Sequence, residues 1–456
     1  MKRIRTYKQF VYEGVFSLKS ISYLLLTSVI VTAAAGCSAA APGAVKPADT
    51  AAPKTSGTGA PPASGPVTLR VGGIEYPYTK AVNEAFEKKY SNIKVEWNPG
   101  NNDFEDGSIQ ALLRSGSGPD VMVVSSGPGR VGLLSNAGLI LPIEDAMKKY
   151  NIESRYQKWV IDQTRVQGNG KVYELVEGVD VFSVYYNKEM FQKYGLKPPS
   201  TWEEFLDNCA KLKNANILPI AAGFRKGIGG GWMLGNLVEA AAGKDRMTDV
   251  IFGKGPFDQK EIVLGGEMLK QLLDAGYVNG KDASAIDQAQ AQAAFLSGQA
   301  AMTISSQGFI ASERKKGNDV NKFDTFLLPS REAGRPARPS AGLAHSWIVN
   351  ATTKNIDAAE KWLDWVSSEE YLKVVAANAG SLVPVVEATS KVKNDPAIEK
   401  ASEMLKNGAG YNPSVYLPAK AKDAWYAAVD SITAGGSPAE AFKAIEAEMA
   451  KAKQTK

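Results

Sequence analysis

From residue 67 onward the sequence alternates short β-rich runs with longer amphipathic helical patterns. Such alternation predicts α/β units, in which helices pack on the faces of mainly parallel sheets. A composition close to the globular average excludes a collagen-like chain, a coiled coil and a wholly disordered protein. The 456 residues are enough for two or three folding units with sizeable cores.

The first block of α/β units covers residues 67–137. Strands are predicted at 67–73, 93–98 and 121–124, and helices at 78–90, 106–115 and 130–137. In open α/β sheets, ligands bind at the carboxyl ends of the strands. The loops 72–78, 99–102 and 125–129 are therefore the expected ligand-binding edge of this block.

A second block begins with a predicted strand at 181–186. The helix predicted at 202–214 follows Ser200 and Thr201, either of which can cap it, and Glu203 favours its N-terminal dipole. Further helices are predicted at 189–194, 261–274, 288–296, 356–366, 369–378, 421–434 and 438–451.

The first 66 residues have a different character from the rest of the chain. A basic start is followed by an apolar run at 21–35, which is shorter than the roughly 20 residues that span a bilayer. With the small residues before Cys37, this pattern indicates an export signal over 1–36. Residues 34–37 resemble a bacterial lipobox, with Ala34 where leucine is usual, so Cys37 is the expected lipidation site. The alternative is a retained membrane anchor with an unmodified cysteine.

The segment after Cys37 has almost nothing to bury. In residues 38–66 every residue is Ala, Pro, Gly, Ser or Thr except Val45, Lys46, Asp49 and Lys54. Such a composition predicts an extended tether, which with Cys37 covers 37–66. The signal and the tether also carry the whole net charge of +5, so the body is formally neutral and nucleic acid is not an expected partner.

Five short motifs occur in order along the body. They are Gly118-Pro119-Asp120-Val121, residues 138–143 (GLILPI), 185–191 (YYNKEMF), 195–205 (GLKPPSTWEEF) and 294–302 (AFLSGQAAM). Behind a lipobox and a tether, this series resembles the extracellular solute-binding proteins of ABC importers, family 1, the group of maltose- and multiple-sugar-binding proteins. The resemblance covers essentially residues 67–456.

The resemblance implies a two-lobed periplasmic-binding-protein-like α/β fold, each lobe a mainly parallel sheet flanked by helices, joined by hinge crossovers. It assigns residues 67–180 and 347–382 to the N-terminal lobe and residues 183–343 and 384–456 to the C-terminal lobe. It also implies a lipid-anchored monomer on the extracytoplasmic face of the membrane, with no cofactor, metal or catalysis. Such a protein captures a carbohydrate, expected to be an oligosaccharide, and delivers it to a membrane permease.

A sugar presents apolar C–H faces and a rim of hydroxyls, so its site needs flat aromatics beside carboxylate, amide and hydroxyl groups. The loops of the first block and the first crossover supply these types. The candidates are Glu75, Tyr76, Asn101, Ser125, Ser126 and Asp180.

The rest of the chain supplies mostly aromatic candidates. Trp232 follows glycines 229–231 and is expected on a flexible loop, where a tryptophan is poorly explained as core. Phe309 stands where the family often has an aromatic residue. His345, Trp347 and Tyr416 are also candidates, although residues of these types beside hinges commonly pack in cores. Packing is the expected role of the remaining residues Trp97, Trp159, Trp202, Trp362 and Trp365, and of the thiol of Cys209.

One motif points to another class of protein. Gly127, Gly129 and Gly132 match a dinucleotide-binding fingerprint that follows a strand and precedes a helix. This fingerprint, however, follows the third strand and contains Pro128. The glycines are better explained as positions that let the backbone come close to a ligand.

Two further alternatives stay open. In a glycoside hydrolase, two of the carboxylates Glu75, Asp103, Glu177 and Asp180 would converge on the sugar. A binding protein could instead take a polyamine, ferric iron or a phosphoester. Iron would require clustered phenolates, and the adjacent Tyr185 and Tyr186 point to opposite faces of a strand.

Overall fold

We describe the fold from a computed structural model. The described residues are 66–73, 75–76, 78–100, 107–225, 227–379, 384 and 395–454. The predicted signal, Cys37, the tether and the candidate Asn101 lie outside these residues. All helices and strands below belong to one compact unit.

Eleven strands are described. They are β1 Val67–Gly73, β2 Ile93–Pro99, β3 Val121–Ser125, β4 Leu175–Val176, β5 Val179–Asn187, β6 Leu218–Ala221, β7 Ala300–Ser306, β8 Phe323–Phe326, β9 Ser340–Leu343, β10 His345–Val349 and β11 Gly410–Tyr411.

The helices begin with a set that surrounds the first three strands. These are α1 Thr79–Lys89, α2 Ser108–Arg114, α3 Val131–Asn136, α4 Glu144–Lys149 and α5 Lys158–Gln167. The middle helices are α6 Lys188–Lys193, α7 Trp202–Asn214, α8 Ile228–Ile251, α9 Lys260–Asp274, α10 Gln288–Leu296 and α11 Gly308–Lys315. The last are α12 Ile356–Val366, α13 Glu369–Ala379, α14 Pro396–Met404, α15 Pro413–Tyr416, α16 Ala419–Thr433 and α17 Pro438–Gln454.

The strands form two sheets. The first has the order β2-β1-β3-β10-β4, and the second has the order β11-β9-β5-β7-β6 with β8 paired to β5. The first three strands are parallel, but β10 runs antiparallel to both β3 and β4. In the second sheet β5 is antiparallel to each of its partners. In each sheet a single strand, β10 in the first and β5 in the second, therefore runs against all the others, so the sheets are mixed but mainly parallel, as predicted. Each of these two strands enters its sheet directly from a crossover, which sets its direction.

Two crossovers lie side by side between the sheets. The first is Glu177-Gly178, and the second is Ala344 between β9 and β10. Glu177 N–H donates to the carbonyl of His345 at 2.8 Å, and Ala344 N–H donates to the carbonyl of Gly178 at 2.9 Å.

The strands continue closer to the crossovers than predicted. Asp180 pairs with Gly342 in the second sheet, although the sequence prediction assigned it to the first lobe. Likewise His345 pairs with Ser125 in the first sheet, two residues before the predicted return at 347. Backbone pairing up to the crossovers keeps their amides satisfied, which explains why the strands extend so far. Of the third predicted crossover, only Pro384 is described.

Helix α8 overturns the flexible loop predicted around Trp232. Glycines 229–231 are buried in its first turn. A methyl group on Gly230 would lie 2.5 Å from Phe224 Cδ1 and 2.6 Å from Val429 Cγ1. These glycines therefore allow close packing of a helix end, and the expectation of a flexible backbone was wrong.

Helix α8 also buries a carboxyl group. Glu239 is 4% exposed, and one of its oxygens has no hydrogen-bond partner among the described residues. Burial raises its pKa to about 8, and the charges of Arg338, Arg335 and Lys244 offset part of this effect. The folded protein therefore holds a proton on Glu239 at neutral pH that the unfolded chain releases.

This proton gives a testable dependence of stability on pH. The pKa of Glu239 is higher in the folded protein than in the unfolded chain. The free energy of unfolding that its protonation contributes is therefore lost as pH rises from about 4.5 to about 8. We expect Glu239→Gln to become more stable relative to wild type over this range, by at most about 1.4 kcal/mol per pH unit. Urea unfolding at pH 5, 6, 7 and 8 measures the difference. The control is Glu261→Gln on the exposed surface of α9, and equal slopes for all three proteins would contradict the expectation.

Candidate ligand-binding site

An aromatic pair follows the first strand. The rings of Tyr76 and Tyr78 stack nearly parallel, 5.2 Å apart and inclined by 2°. Tyr76 N–H donates to Thr79 Oγ1, and Thr79 N–H donates back to the Tyr76 carbonyl, each at 2.9 Å. This turn fixes the pair at the start of α1, where the sequence predicted a ligand-binding loop. Glu75 is exposed beside it.

Two carboxylates lie at the first crossover, next to Tyr76. The hydroxyl of Tyr371 donates to Glu177, and Gln307 Nε2 donates to Asp180 Oδ1 at 3.5 Å. Burial raises the pKa of both carboxyl groups, and these hydrogen bonds offset part of the effect. Burial, followed by the charges of Glu177 and Asp180, raises the pKa of Tyr76 to about 12. The tyrosine hydroxyl therefore stays protonated and can donate.

A second aromatic pair lies on the side of the second sheet. Phe182 is two residues beyond Asp180 on β5, so both side chains point to the same face of the strand. The ring of Trp232 stacks on Phe182 with centroids 4.8 Å apart and an interplanar angle of 28°. Trp232 is half-buried, whereas Phe182 is 2% exposed. The Tyr76/Tyr78 pair therefore lies near Glu177 and Asp180, and the Phe182/Trp232 pair lies on the face of β5 that carries Asp180.

Three candidates lie at the crossovers themselves. Ser125 pairs with His345, and Ser126 N–H donates to the Ala344 carbonyl at 3.1 Å. Burial, then the charge of Arg130, lowers the pKa of His345, so its imidazole is neutral at physiological pH. Ser126 is fully buried and belongs to the backbone linkage between the sheets.

Three other candidates pack within the protein. Phe309 lies edge-on to Tyr185 at 5.9 Å in a separate hydrophobic cluster with Phe295. The hydroxyl of Tyr416 donates to Gln163 Oε1 at 2.9 Å and accepts from Leu343 N–H at 2.8 Å, so it is fully used inside the fold. Trp347 is 3% exposed. The predicted ligand contacts of Phe309 and Tyr416 do not fit these positions, because neither side chain is accessible.

The glycines of the fingerprint pack against another segment of the chain, residues 415–418. A methyl group on Gly127 would lie 2.8 Å from the Val415 carbonyl oxygen, and one on Gly129 would lie 2.9 Å from Pro418 Cα. Arg130 donates to the same Val415 carbonyl at 3.4 Å. The glycines therefore permit close approach of the segment 415–418, and the structure gives this loop a packing role.

Two residues of the site were missed from the sequence. Phe182 could have been found, because a residue two positions from a candidate carboxylate in a strand shares its face. Nothing in the local sequence singles out Tyr371, because it is one of several apolar residues in α13. Only tertiary packing places it next to Glu177. Among the described residues, no group of three or more His, Cys, Asp or Glu side chains is placed to hold a metal ion.

The comparisons with known proteins identify the family. The sequence profile described as bacterial extracellular solute-binding protein matches residues 72–373. The chain belongs to this family. The members of this family are solute-binding proteins, and they are not enzymes. This confirms the expectation that the chain does not catalyse a reaction.

Curated relatives include binding proteins of several kinds. An uncharacterized ABC transporter extracellular-binding protein of Pyrococcus horikoshii is 27% identical over 67% of this chain and 67% of its own length. The sn-glycerol-3-phosphate-binding periplasmic protein of Shigella flexneri is 26% identical over 57% of this chain. This chain spans 60% of the length of that relative.

Solved structures share the fold. A receptor described with an exclusive preference for β-D-galactopyranose has a TM-score of 0.72 at 18% identity, covering 85% of this chain and 98% of its own. A chitin oligosaccharide binding protein has a TM-score of 0.70 at 20% identity, covering 85% and 98%. A protein from work on xylan utilization by Caldanaerobius polysaccharolyticus has a TM-score of 0.70 at 21% identity, covering 84% and 100%. These matches confirm the predicted two-lobed α/β fold class.

The chain is thus a solute-binding protein of an ABC transporter. Proteins of this kind bind small solutes such as sugars and interact with permeases. Within the part of the chain that the structure describes, no helix has the length and apolar character needed to cross a bilayer.

Proposed function

We propose that the chain captures a carbohydrate, specifically an oligosaccharide, between its two lobes and delivers it to a membrane permease. The observation that carries this proposal is that the Tyr76/Tyr78 pair lies beside Glu177 and Asp180, while the Phe182/Trp232 pair shares the face of β5 that carries Asp180. Aromatic faces suit the apolar faces of sugar rings, and carboxylates accept from their hydroxyls. Two aromatic pairs supply surface for more than one ring.

A polyamine is the second candidate ligand. No cation contributes to the pKa shifts of Glu177 and Asp180, so a ligand ammonium group could compensate these carboxylates. Ionised carboxylates at this position would repel a phosphate, which argues against a phosphoester.

A thermal-shift screen of the purified protein tests the proposal. The ligands are xylotriose, diacetylchitobiose, galactose, spermidine and sn-glycerol 3-phosphate. A ligand at 100 times its Kd stabilises the folded state by about 2.7 kcal/mol, which raises Tm by several degrees. We expect a saccharide to give this shift. A shift with spermidine alone would overturn the carbohydrate proposal in favour of a polyamine.

We also propose that the protein is a monomer anchored by a lipid on the extracytoplasmic face of the membrane. The lipid anchor is supported by the lipobox-like residues before Cys37 and by the tether composition of 38–66. We expect mass spectrometry of protein taken from bacterial membranes to show an acylated N-terminus at Cys37. A Cys37→Ser variant is the control and should lack the acyl mass. An intact residue 1 in the mature wild-type protein would contradict this prediction.

A further inference from the structure

A small, partly open cavity lies in the first lobe, and Tyr76 and Tyr78 form part of its lining. Its volume is about 10 Å³, and it lies between the first sheet and the helices α1, α12 and α13. We call it the indole cavity. Its polar or aromatic lining includes Asn83, Trp97, Glu177, Trp347, Trp362 and Tyr371.

Four polar atoms of this lining are buried without a partner. The indole Nε1 atoms of Trp97, Trp347 and Trp362 and the Oδ1 atom of Asn83 make no hydrogen bond within the described part of the chain. The rings of Trp347 and Trp362 meet edge to face, 5.3 Å apart. A buried donor or acceptor without a partner costs about 1–3 kcal/mol, so four of them around one cavity indicate that something occupies it.

The chemistry of the lining selects the occupant. Three N–H donors disfavour a cation, and the Glu177 carboxyl and Asn83 Oδ1 disfavour an anion. A hydroxyl group can both accept from N–H groups and donate to oxygen. One water requires roughly 10–15 Å³, so the cavity has room for about a single oxygen atom.

We propose that the indole cavity binds one hydroxyl oxygen, which accepts from two of the three indole N–H groups and donates to Asn83 or Glu177. In the free protein the oxygen is that of a water molecule. Since Tyr76 and Tyr78 line both the cavity and the proposed saccharide site, a hydroxyl of a bound saccharide can replace that water. Only this last step rests on the proposed function.

Nuclear magnetic resonance of the protein with ¹⁵N-labelled tryptophan tests the site. The eight indole N–H signals are assigned with single Trp→Phe substitutions. We expect rotating-frame cross-relaxation with water at two or more of Trp97, Trp347 and Trp362. Trp425 is the matched control, because it is fully buried and its indole donates to the Gly231 carbonyl at 3.3 Å. Trp365 is the second control, since its buried indole lacks a partner but lies outside the cavity lining.

The result in the free protein decides the proposal. If none of the three indoles shows contact with water, the proposal is overturned. Equal contact at Trp425 and Trp365 would overturn it as well, because the signal would then not belong to the cavity.

Addition of xylotriose distinguishes the two sources of the hydroxyl. If xylotriose binds by calorimetry and the water contacts disappear, a saccharide hydroxyl has replaced the water. If xylotriose binds and the contacts persist, water stays the occupant. Either result supports a hydroxyl site. If neither xylotriose nor any other saccharide of the thermal-shift screen binds, the proposed function fails while the measurement on the free protein still decides the cavity.

Discussion

Trp232→Ala is expected to weaken saccharide binding at least ten-fold, equivalent to about 1.4 kcal/mol or more. The indole is the half-buried member of the Phe182/Trp232 pair, so its loss removes the accessible aromatic face on the side of the second sheet. Large aromatic side chains at binding sites commonly contribute this much or more. Because alanine favours helices, α8 should persist in the variant. Isothermal titration with the saccharide that gives the largest thermal shift measures the effect.

Phe309→Leu is the matched control for this experiment. Phe309 was a candidate from the sequence, but it packs in the cluster with Tyr185 and Phe295. We expect its substitution to lower Tm and to leave the saccharide Kd within about two-fold, because a buried cluster residue acts on stability. If Trp232→Ala bound as tightly as wild type while Phe309→Leu lost binding, the proposed site would be wrong.

Gly265→Ala is expected to lower the free energy of unfolding by about 1–3 kcal/mol. Gly265 lies where α9 crosses α8, and a methyl group there would be 2.6 Å from Val238 Cα and 2.8 Å from Val238 N. These are backbone atoms, so they cannot move aside as a flexible side chain would. The helices must separate, and that cost outweighs the better helix propensity of alanine.

Gly132→Ala tests the same substitution where there is room. Gly132 lies in α3, and the nearest atoms to an added methyl group are 3.8 Å away. Here the propensity term should dominate, so we expect no loss or a gain of up to about 1 kcal/mol. Urea unfolding of both variants gives the midpoints and slopes. Equal destabilisation of the two variants would show that the α8/α9 contact is not specially tight.

The elements with strong local patterns were predictable from the sequence. The bounds of α7, α10 and α12 match the prediction. Helices α7 and α12 each have an apolar stripe, and α7 has Thr201 at its N-cap, accepting from Glu204 N–H at 3.2 Å. Helix α10 begins at a capping box of Asp287 and Gln290. The helix α8 was missed because a run of glycines has low helix propensity, and its stability comes from the neighbours that enclose it. The antiparallel strand β10 was also missed, because its direction depends on the crossover at Ala344, where the chain returns from the second sheet to the first.

The candidate site was predictable only in part. Tyr76 and Asp180 stay predicted ligand contacts, chosen because they follow or begin strands at an edge where ligands bind. Phe309 and Tyr416 could not be excluded, since an aromatic residue near a strand or hinge has the same local pattern whether it faces a cleft or a core. Burial separates these cases, and burial depends on contacts distant in the sequence.

The paired crossovers have a mechanical consequence. Because Glu177 N–H and Ala344 N–H each bond to the opposite strand, neither strand can twist without the other. A change in the angle between the two sheets must therefore be shared by both crossovers. Glu177 is itself a residue of the first crossover, so a ligand hydrogen-bonded to its carboxyl would attach to the segment that joins the two sheets.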